Sequence, residues 1–275
     1  MKSILITGCS SGIGHAAAHG LRARGWRVFA ACRRAEDCAR LQAEGFDSPQ
    51  IDYTDETSIT AGLAEVLNAT DGTLDALFNN GAHATPGAVE DLPTDALRAL
   101  FEANFFGWHT LTRAVIPVMR AQGHGRIVQC SSVLGFITMP WRGAYNASKH
   151  AIEGLTSTLR IEMRDTDIRI CTIEPGPVTS RIRANSVAHF ERWIDWRSSP
   201  RAAQYETSLM KRLYATDSGP DTFALPPEAV VKKLIHAVES SSPRPRYYVT
   251  VPTHVMGVMK RILPTRALDW LLSRN

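Results

Sequence analysis

Residues 144–150 read AYNASKH, which places Tyr145 four positions before Lys149. Residues four apart share a face of a helix, so the Lys149 ammonium would stand beside the Tyr145 phenol. A free phenol has a pKa of about 10 and is a poor base near neutrality. A neighbouring cation stabilises the phenolate and pulls that value toward the working range, which would make the pair an acid/base. The pair alone is a weak signal, because a Tyr-x-x-x-Lys turn also occurs on plain solvated helices. Thirteen positions earlier, Ser132 ends an apolar run, and its hydroxyl could hold a substrate oxygen beside the phenol. Ser131 would point the opposite way if the strand persists. Ser131-Ser132 also reads as a simple polar strand ending.

A second cluster stands near the N-terminus, where SILIT is followed by Gly8-Cys9-Ser10-Ser11-Gly12-Ile13-Gly14. Glycines between a strand and a helix let the backbone turn tightly and approach a pyrophosphate. The free N–H groups and positive end of the helix would face that anion. The spacing is G-x-x-x-G-x-G. In dinucleotide sites the end of the second strand usually carries an acid for the adenosine ribose. Here it reads Ala31-Cys32-Arg33-Arg34, without an acid. Arg33, with Arg34 beside it, could pair with a 2′-phosphate, and Ser11 could hydrogen-bond to it. Such charge-assisted contacts favour NADP over NAD. Both arginines also read as the start of a solvated loop. The positive ring of an oxidised nicotinamide would add to the effect of Lys149 on Tyr145. Asn146, Ala147 and Ser148 leave room for a flat cofactor to approach.

These residues need a scaffold, and the chain supplies one. Seven short apolar runs, at 3–7, 26–31, 50–52, 74–79, 126–131, 168–174 and 246–251, alternate with helical stretches. The helical stretches are 12–24, 36–44, 56–69, 94–121 and 143–164. Runs without polar alternation read as strands buried on both faces, and the alternation predicts a parallel sheet with right-handed crossovers. The expected fold is a single α/β domain over 1–275, a doubly wound Rossmann fold with a seven-stranded parallel sheet and helices on both faces. Segment 177–225 breaks the rhythm and reads as a helical lid over the substrate. The tail 252–275 reads as a C-terminal amphipathic extension.

Composition agrees with an ordinary globular domain. The 275 residues are 44% hydrophobic and 21% charged, enough for one full core. A net charge of +4 without a long basic run leaves no nucleic-acid footprint. Five cysteines without zinc-type pairing suit a reducing compartment. No signal peptide and no bilayer-spanning apolar stretch is read, so the expected location is cytoplasmic. The histidines are expected to be surface or capping residues without ligand spacing among them, and no metal is expected.

TGCSSGIG, Asn79-Asn80, Ser132, Tyr145-x-x-x-Lys149 and Pro175-Gly176, in this order, resemble the short-chain dehydrogenase/reductase family. The likeness is strong over 1–180 and loose beyond. It is greatest toward the branch of hydroxysteroid and retinol dehydrogenases and bacterial NADP-dependent aldehyde reductases. The resemblance implies a catalytic set of Ser132, Tyr145, Lys149 and Asn104. Tyr145 would protonate a carbonyl oxygen, Ser132 would orient it, and Lys149 would tune Tyr145 and hold the nicotinamide ribose. Asn104 would hold a water relay to the lysine, or bond backbone at a helix kink. The implied cofactor contacts are Gly8, Ser10, Ser11, Gly12, Ile13, Gly14, Arg33, Arg34, Asp52, Asn79, Gly81, Lys149, Pro175, Gly176, Val178 and Ser180. Asp52 would meet the adenine amino group, Asn79 would lie beside the adenine ribose, and the backbone at Val178 would bind the carboxamide. Two departures stand out. The family's N-N-A-G is Asn79-Asn80-Gly81-Ala82 here. Its threonine four after the P-G glycine is Ser180, with Thr179 as the other candidate.

The expected function is NADP-dependent hydride transfer between NADPH and an apolar ketone or aldehyde and its alcohol. An NAD-dependent alcohol dehydrogenase of the same fold and a non-catalytic NADP sensor are the alternatives. Arg33 and the absent acid argue against the first, the intact Ser132, Tyr145 and Lys149 against the second. Phe190, Trp193, Trp196, Tyr205, Leu209, Met210, Leu213 and Tyr214 in the lid either line an apolar substrate site or pack the lid down. Met139 and Trp141 are further pocket candidates, with Gly135, Phe136 and His83 behind them. The tail mixes apolar residues with Lys260, Arg261, Arg266 and Arg274. It could cover the pocket, a subunit contact or a membrane surface, and covering the domain's own core is the favoured role. The resemblance also implies a homodimer or homotetramer through helices near 94–121 and 143–164.

Overall fold

The computed structural model describes residues 1–215 and 222–273. Arg274 and the 216–221 part of the lid segment lie outside the described residues. Six strands form one parallel sheet: β1 Ser3–Thr7, β2 Arg27–Ala31, β3 Ala76–Asn79, β4 Gly125–Cys130, β5 Ile168–Glu174 and β6 Arg246–Tyr248. Their order is β2-β1-β3-β4-β5-β6. Every residue of β1 and β3 is buried, as unbroken apolar runs between two helical layers require. Each fully buried Ile or Leu there contributes about 1.5–3 kcal/mol.

The helices are α1 Gly12–Arg22, α2 Ala35–Ala43, α3 Glu56–Ala69, α4 Thr94–Phe101, α5 Gly107–Gln122 and α6 Gly143–Glu162. After β5 come α7 Ile182–Trp193, α8 Ala202–Gln204, α9 Met210–Leu213 and α10 Glu228–Glu239. The chain closes with α11 Val251–Ile262 and α12 Thr265–Leu272. Helix α1 packs against α10, and α3 against α5. The chain crosses from one half of the sheet to the other between β1 and β3. The carboxyl ends of adjacent strands there open the crevice in which such folds bind ligands.

Two strand expectations are corrected. The run at 50–52 is not a strand, so the sheet has six strands rather than seven. The segment runs beside β2 through isolated bridges at Asp47 and Gln50, and Pro49 between them has no N–H to donate to a ladder. The run expected to reach residue 251 stops at Tyr248. Pro252 fits the first turn of a helix, so the chain turns into α11 there. The helical stretch 94–121 is interrupted by a π-turn at Glu102–Phe106.

Candidate active site

Tyr145 and Lys149 lie in the first turns of α6, and Lys149 is buried. The Lys149 ammonium stands 5.5 Å from the Tyr145 ring centroid and 4.3 Å from that of Trp108, and it donates to the Cys130 carbonyl at 2.8 Å. Burial lowers its pKa to about 8. Burial also pushes the Tyr145 phenol well above its ordinary value, while a hydrogen bond with Ser132 acts the other way. The expected depression of the tyrosine by Lys149 is therefore not what the protein alone produces: desolvation dominates, and the ammonium is turned to a backbone carbonyl. Ser132 follows β4, its Oγ accepting from the Leu134 N–H at 3.1 Å and facing the Pro175 carbonyl at 3.5 Å. Ser131 is buried, with its Oγ close to Gly135.

Asn104 is fully buried in the π-turn. Its Oδ1 accepts from the His83 N–H at 3.0 Å, and its Nδ2 donates to the His83 carbonyl at 2.8 Å. It thus bonds backbone at a helix irregularity and pins the loop after β3. Trp108, one turn on, was not anticipated. Its indole N–H donates to the Gly81 carbonyl at 2.8 Å while its ring backs Lys149. Its place four residues after Asn104 in one helix was the available signal.

The glycine turn follows β1. Gly8 and Gly12 have φ of +68° and +57°, backbone that favours glycine. A Cβ on Gly8 would lie 2.5 Å from Gly81 Cα, so the turn and the Asn79–Ala82 loop are in close contact. Thr7 joins them: its hydroxyl accepts from the N–H groups of Asn80 at 3.0 Å and Gly81 at 3.3 Å. Neither Gly81 nor Ala82 has a positive φ, so the exchanged order of glycine and alanine imposes no backbone strain. Ser11 is the N-cap of α1 and makes no side-chain capping bond, and no acid occupies the first turn. That leaves a helix N-terminus suited to an anion. Arg40, also not anticipated, donates to the Ser10 carbonyl at 2.7 Å and fixes the turn from α2.

Arg33 is exposed, and burial, with a smaller contribution from the Arg33 charge, lowers the pKa of both His83 and His189. His83 comes down to about 4. The two imidazoles stack at 4.0 Å, joining the loop after β3 to α7 of the lid. Arg34 is paired with Glu36 at 3.8 Å. Asp52 accepts from the Thr54 N–H and hydroxyl at 3.0 and 2.9 Å. The Asn79 side chain is bound inward to Tyr53 at 2.5 Å and Thr112 at 2.9 Å, which leaves its backbone for any ligand contact. Gly176 approaches Thr250 and Thr253 too closely for a Cβ, so the P-G turn is seated on the start of α11. Val178 bridges Leu225, and Ser180 lies against Gly12.

The lid residues divide. Phe190, Tyr205, Leu209 and Leu213 are buried in a separate apolar cluster with Ala88 and Ile194, against which Trp141, Trp193 and Trp196 pack. The Tyr205 hydroxyl donates to Asp91 at 2.8 Å and accepts from the Ala88 N–H at 2.8 Å. These side chains hold the lid down; Met210 is partly buried and Tyr214 is exposed. Tyr145 packs instead against an apolar cluster of Leu134, Ile137, Leu268 and Leu272, which Val133, Phe136, Met139, Met256 and Leu263 join to make an apolar wall. Met256, Leu263, Leu268 and Leu272 come from the C-terminal tail, for which covering the pocket is one of the expected alternatives.

The expectation for the histidines is corrected. His15 and His19 do have H-x-x-x-H spacing, and their Nε2 atoms stand 3.0 and 2.9 Å from Glu44 Oε2. Arg40 holds the other carboxylate oxygen at 2.9 Å, and Arg22 faces His19 Nδ1 at 3.3 Å. Arg40 thus pairs with the carboxylate, Arg22 donates to the Glu44 backbone carbonyl, and the cluster ties α1 to the end of α2.

Known proteins share this fold. Residues 2–190 match the model of the short chain dehydrogenase family. The chain is 39% identical to the uncharacterized oxidoreductase YbbO of Escherichia coli over 98% of its own length and 94% of that protein's. It is 28% identical to an NADPH-dependent 3-dehydrocapnine reductase of Ornithobacterium rhinotracheale, over 100% and 97% of the two chains. Among solved structures, a short-chain dehydrogenase from Streptomyces avermitilis superposes with a TM-score of 0.79 at 26% identity, covering 98% and 95%. A short-chain dehydrogenase/reductase from Burkholderia phymatum, in complex with NAD, gives 0.77 at 25%, covering 100% and 95%. The chain belongs to the short-chain dehydrogenase family and is an oxidoreductase of its Rossmann-like fold.

Proposed function

We propose that this protein reduces an apolar ketone or aldehyde with NADPH, using Tyr145 as the proton donor. The observation that carries the reading is the meeting of Ser132, Tyr145 and Lys149 at the carboxyl edge of the sheet, under an apolar wall. The residues fit a dinucleotide. Ser11 and the α1 N-terminus offer unspent donors, and the Gly8–Gly81 contact leaves the crevice floor without side chains. For NADP the support is the end of β2. Arg33 stands there exposed, and no carboxylate among the described residues lies within ion-pair distance of it.

When bound, the cofactor supplies the hydride that reaches the carbonyl carbon. Ser132 holds the carbonyl oxygen. Tyr145, whose phenol keeps its proton near neutrality, gives it to that oxygen. Lys149 then steadies the phenolate, for which its ammonium must leave the Cys130 carbonyl. The C-terminal helices exclude water from this exchange. Met256, Met139 and Phe136 select an apolar substrate. A cytoplasmic homo-oligomer built on α5 and α6 completes the reading.

Fluorescence titration of NADPH and NADH tests it. Wild type should prefer NADPH, and Arg33→Ala should weaken NADPH by about tenfold or more while sparing NADH. Tyr145→Phe should bind NADPH normally yet lose about a hundredfold or more of its turnover. Equal binding of both cofactors by wild type would remove the NADP assignment. Full activity of Tyr145→Phe would remove the mechanism.

A further inference from the structure

Helix α11 is apolar on two opposite faces. Its inner face holds Thr253 and Gly257, both buried, and Met256, which packs in the wall around Tyr145. Its outer face carries Val251, Val255, Val258 and Ile262 at spacings of four, three and four, so they form one stripe. They are 61%, 50%, 57% and 67% exposed. Trp270, on α12, is exposed to 58%. The same segment exposes Lys260, Arg261 and Arg266, against one acid, Asp269. Soluble surface helices put polar residues on the side away from the core; this one does not.

We propose that α11 and α12 dock on an anionic bilayer surface, with the stripe in the lipid and the basic residues at the headgroups. Charge and size both favour a bilayer. The described residues of the two helices carry a net positive charge, which suits anionic lipid. An exposed tryptophan on the following helix suits the membrane–water interface. A stripe on a 12-residue helix is about 18 Å long, on the order of 200 Å². A stable contact between two copies needs about 800 Å² from each, so the stripe is too small to be a dimer seam. No helix of the described residues is long and apolar enough to cross a membrane, so the docking is peripheral.

The arrangement has a consequence for the substrate, which rests on the proposed function. The same two helices wall Tyr145 on the inside and touch lipid on the outside. A carbonyl compound dissolved in the bilayer would then reach the site without crossing water.

The test uses the full chain with vesicles. Wild type should sediment with phosphatidylglycerol/phosphatidylcholine vesicles and far less with phosphatidylcholine alone, and salt should weaken the binding. The double variant Val255→Asp, Ile262→Asp should lose vesicle binding by about tenfold or more at an unchanged melting temperature. It should keep turnover of a water-soluble carbonyl and lose turnover of a long-chain aldehyde held in vesicles. Vesicle sedimentation and soluble turnover are separate readouts, so failure of the docking and failure of the proposed reaction are distinguishable. Absence of wild-type binding to either vesicle would overturn the proposal. So would a dimer of the wild type that the double variant abolishes.

Discussion

Lys149 is held at a cost to the fold. It is 1% exposed, and burial lowers its pKa to about 8. The folded chain releases this proton near pH 8, whereas the unfolded chain holds it to near its ordinary 10.5. The unfolded state therefore binds more protons in that window, and stability rises with pH across it. Lys149→Met removes the buried charge and keeps the volume. It should unfold about 1–2 kcal/mol harder than wild type near neutrality, after the lost bond to Cys130 is discounted. Its advantage should shrink toward pH 10, with turnover lost throughout. Urea titrations across that range check it, and a variant less stable than wild type at pH 7 would sink the argument. At this scale the sequence was informative about Tyr145, Lys149 and Ser132, because spacing on a helix and a strand end dictates who can meet. It said less about Trp108 and Arg40, whose parts depend on tertiary approach. The spacing of His15 and His19 was legible and overlooked, and only Glu44, far along the chain, shows what it does.

Elements join through a buried charge network that the sequence did not announce. Glu153 on α6 and Glu174 at the end of β5 are both buried, and Arg246 of β6 reaches each at 2.9 Å. Burial and then the neighbouring Glu153 raise the Glu174 carboxyl to about 7. The folded chain thus keeps a proton on this pair up to about pH 7, while the unfolded chain gives it up near 4.5. Stability from this pair is present at low pH and falls as pH rises through that window. Arg246→Met leaves the two carboxyls without their cation. It should destabilise by about 2–4 kcal/mol near pH 8 and by clearly less near pH 5, where the pair is protonated. Equal losses at both pH values would show that Arg246 acts by packing alone. The same scale explains where strand reading failed. Pro49 lacks the N–H that would join the bridges at Asp47 and Gln50 into a ladder, and Pro252 starts a helix where Val249–Val251 looks like strand. The β-propensity of a short run is overridden by a single residue that lacks a donor.

At the scale of the whole molecule, the parallel sheet was legible because each run is buried on both faces, whereas the use of the lid was not. An aromatic-rich segment can bind a ligand or pack on its neighbour, and composition does not separate the two. Burial of Phe190, Tyr205, Leu209 and Leu213 decides for packing, and the wall over Tyr145 passes to the last two helices. A further surface stays open on the opposite side of α6. A cleft of about 200 Å³ lies between α5 and α6, lined by Phe105, Trp108, Ile116, Ile152, Leu155 and Leu159 among others. Phe106, Leu155 and Ile161 are exposed at 48%, 40% and 63%. Two long helices offer far more area than the single stripe of α11, so this face can reach the roughly 800 Å² per partner of a stable interface. The chain should therefore sediment as a dimer or larger assembly at micromolar concentration. Leu155→Lys with Ile161→Lys should shift it to monomer while leaving vesicle binding through α11 intact. A monomeric wild type would leave α5 and α6 without a covering partner and would remove the oligomer from the proposed function.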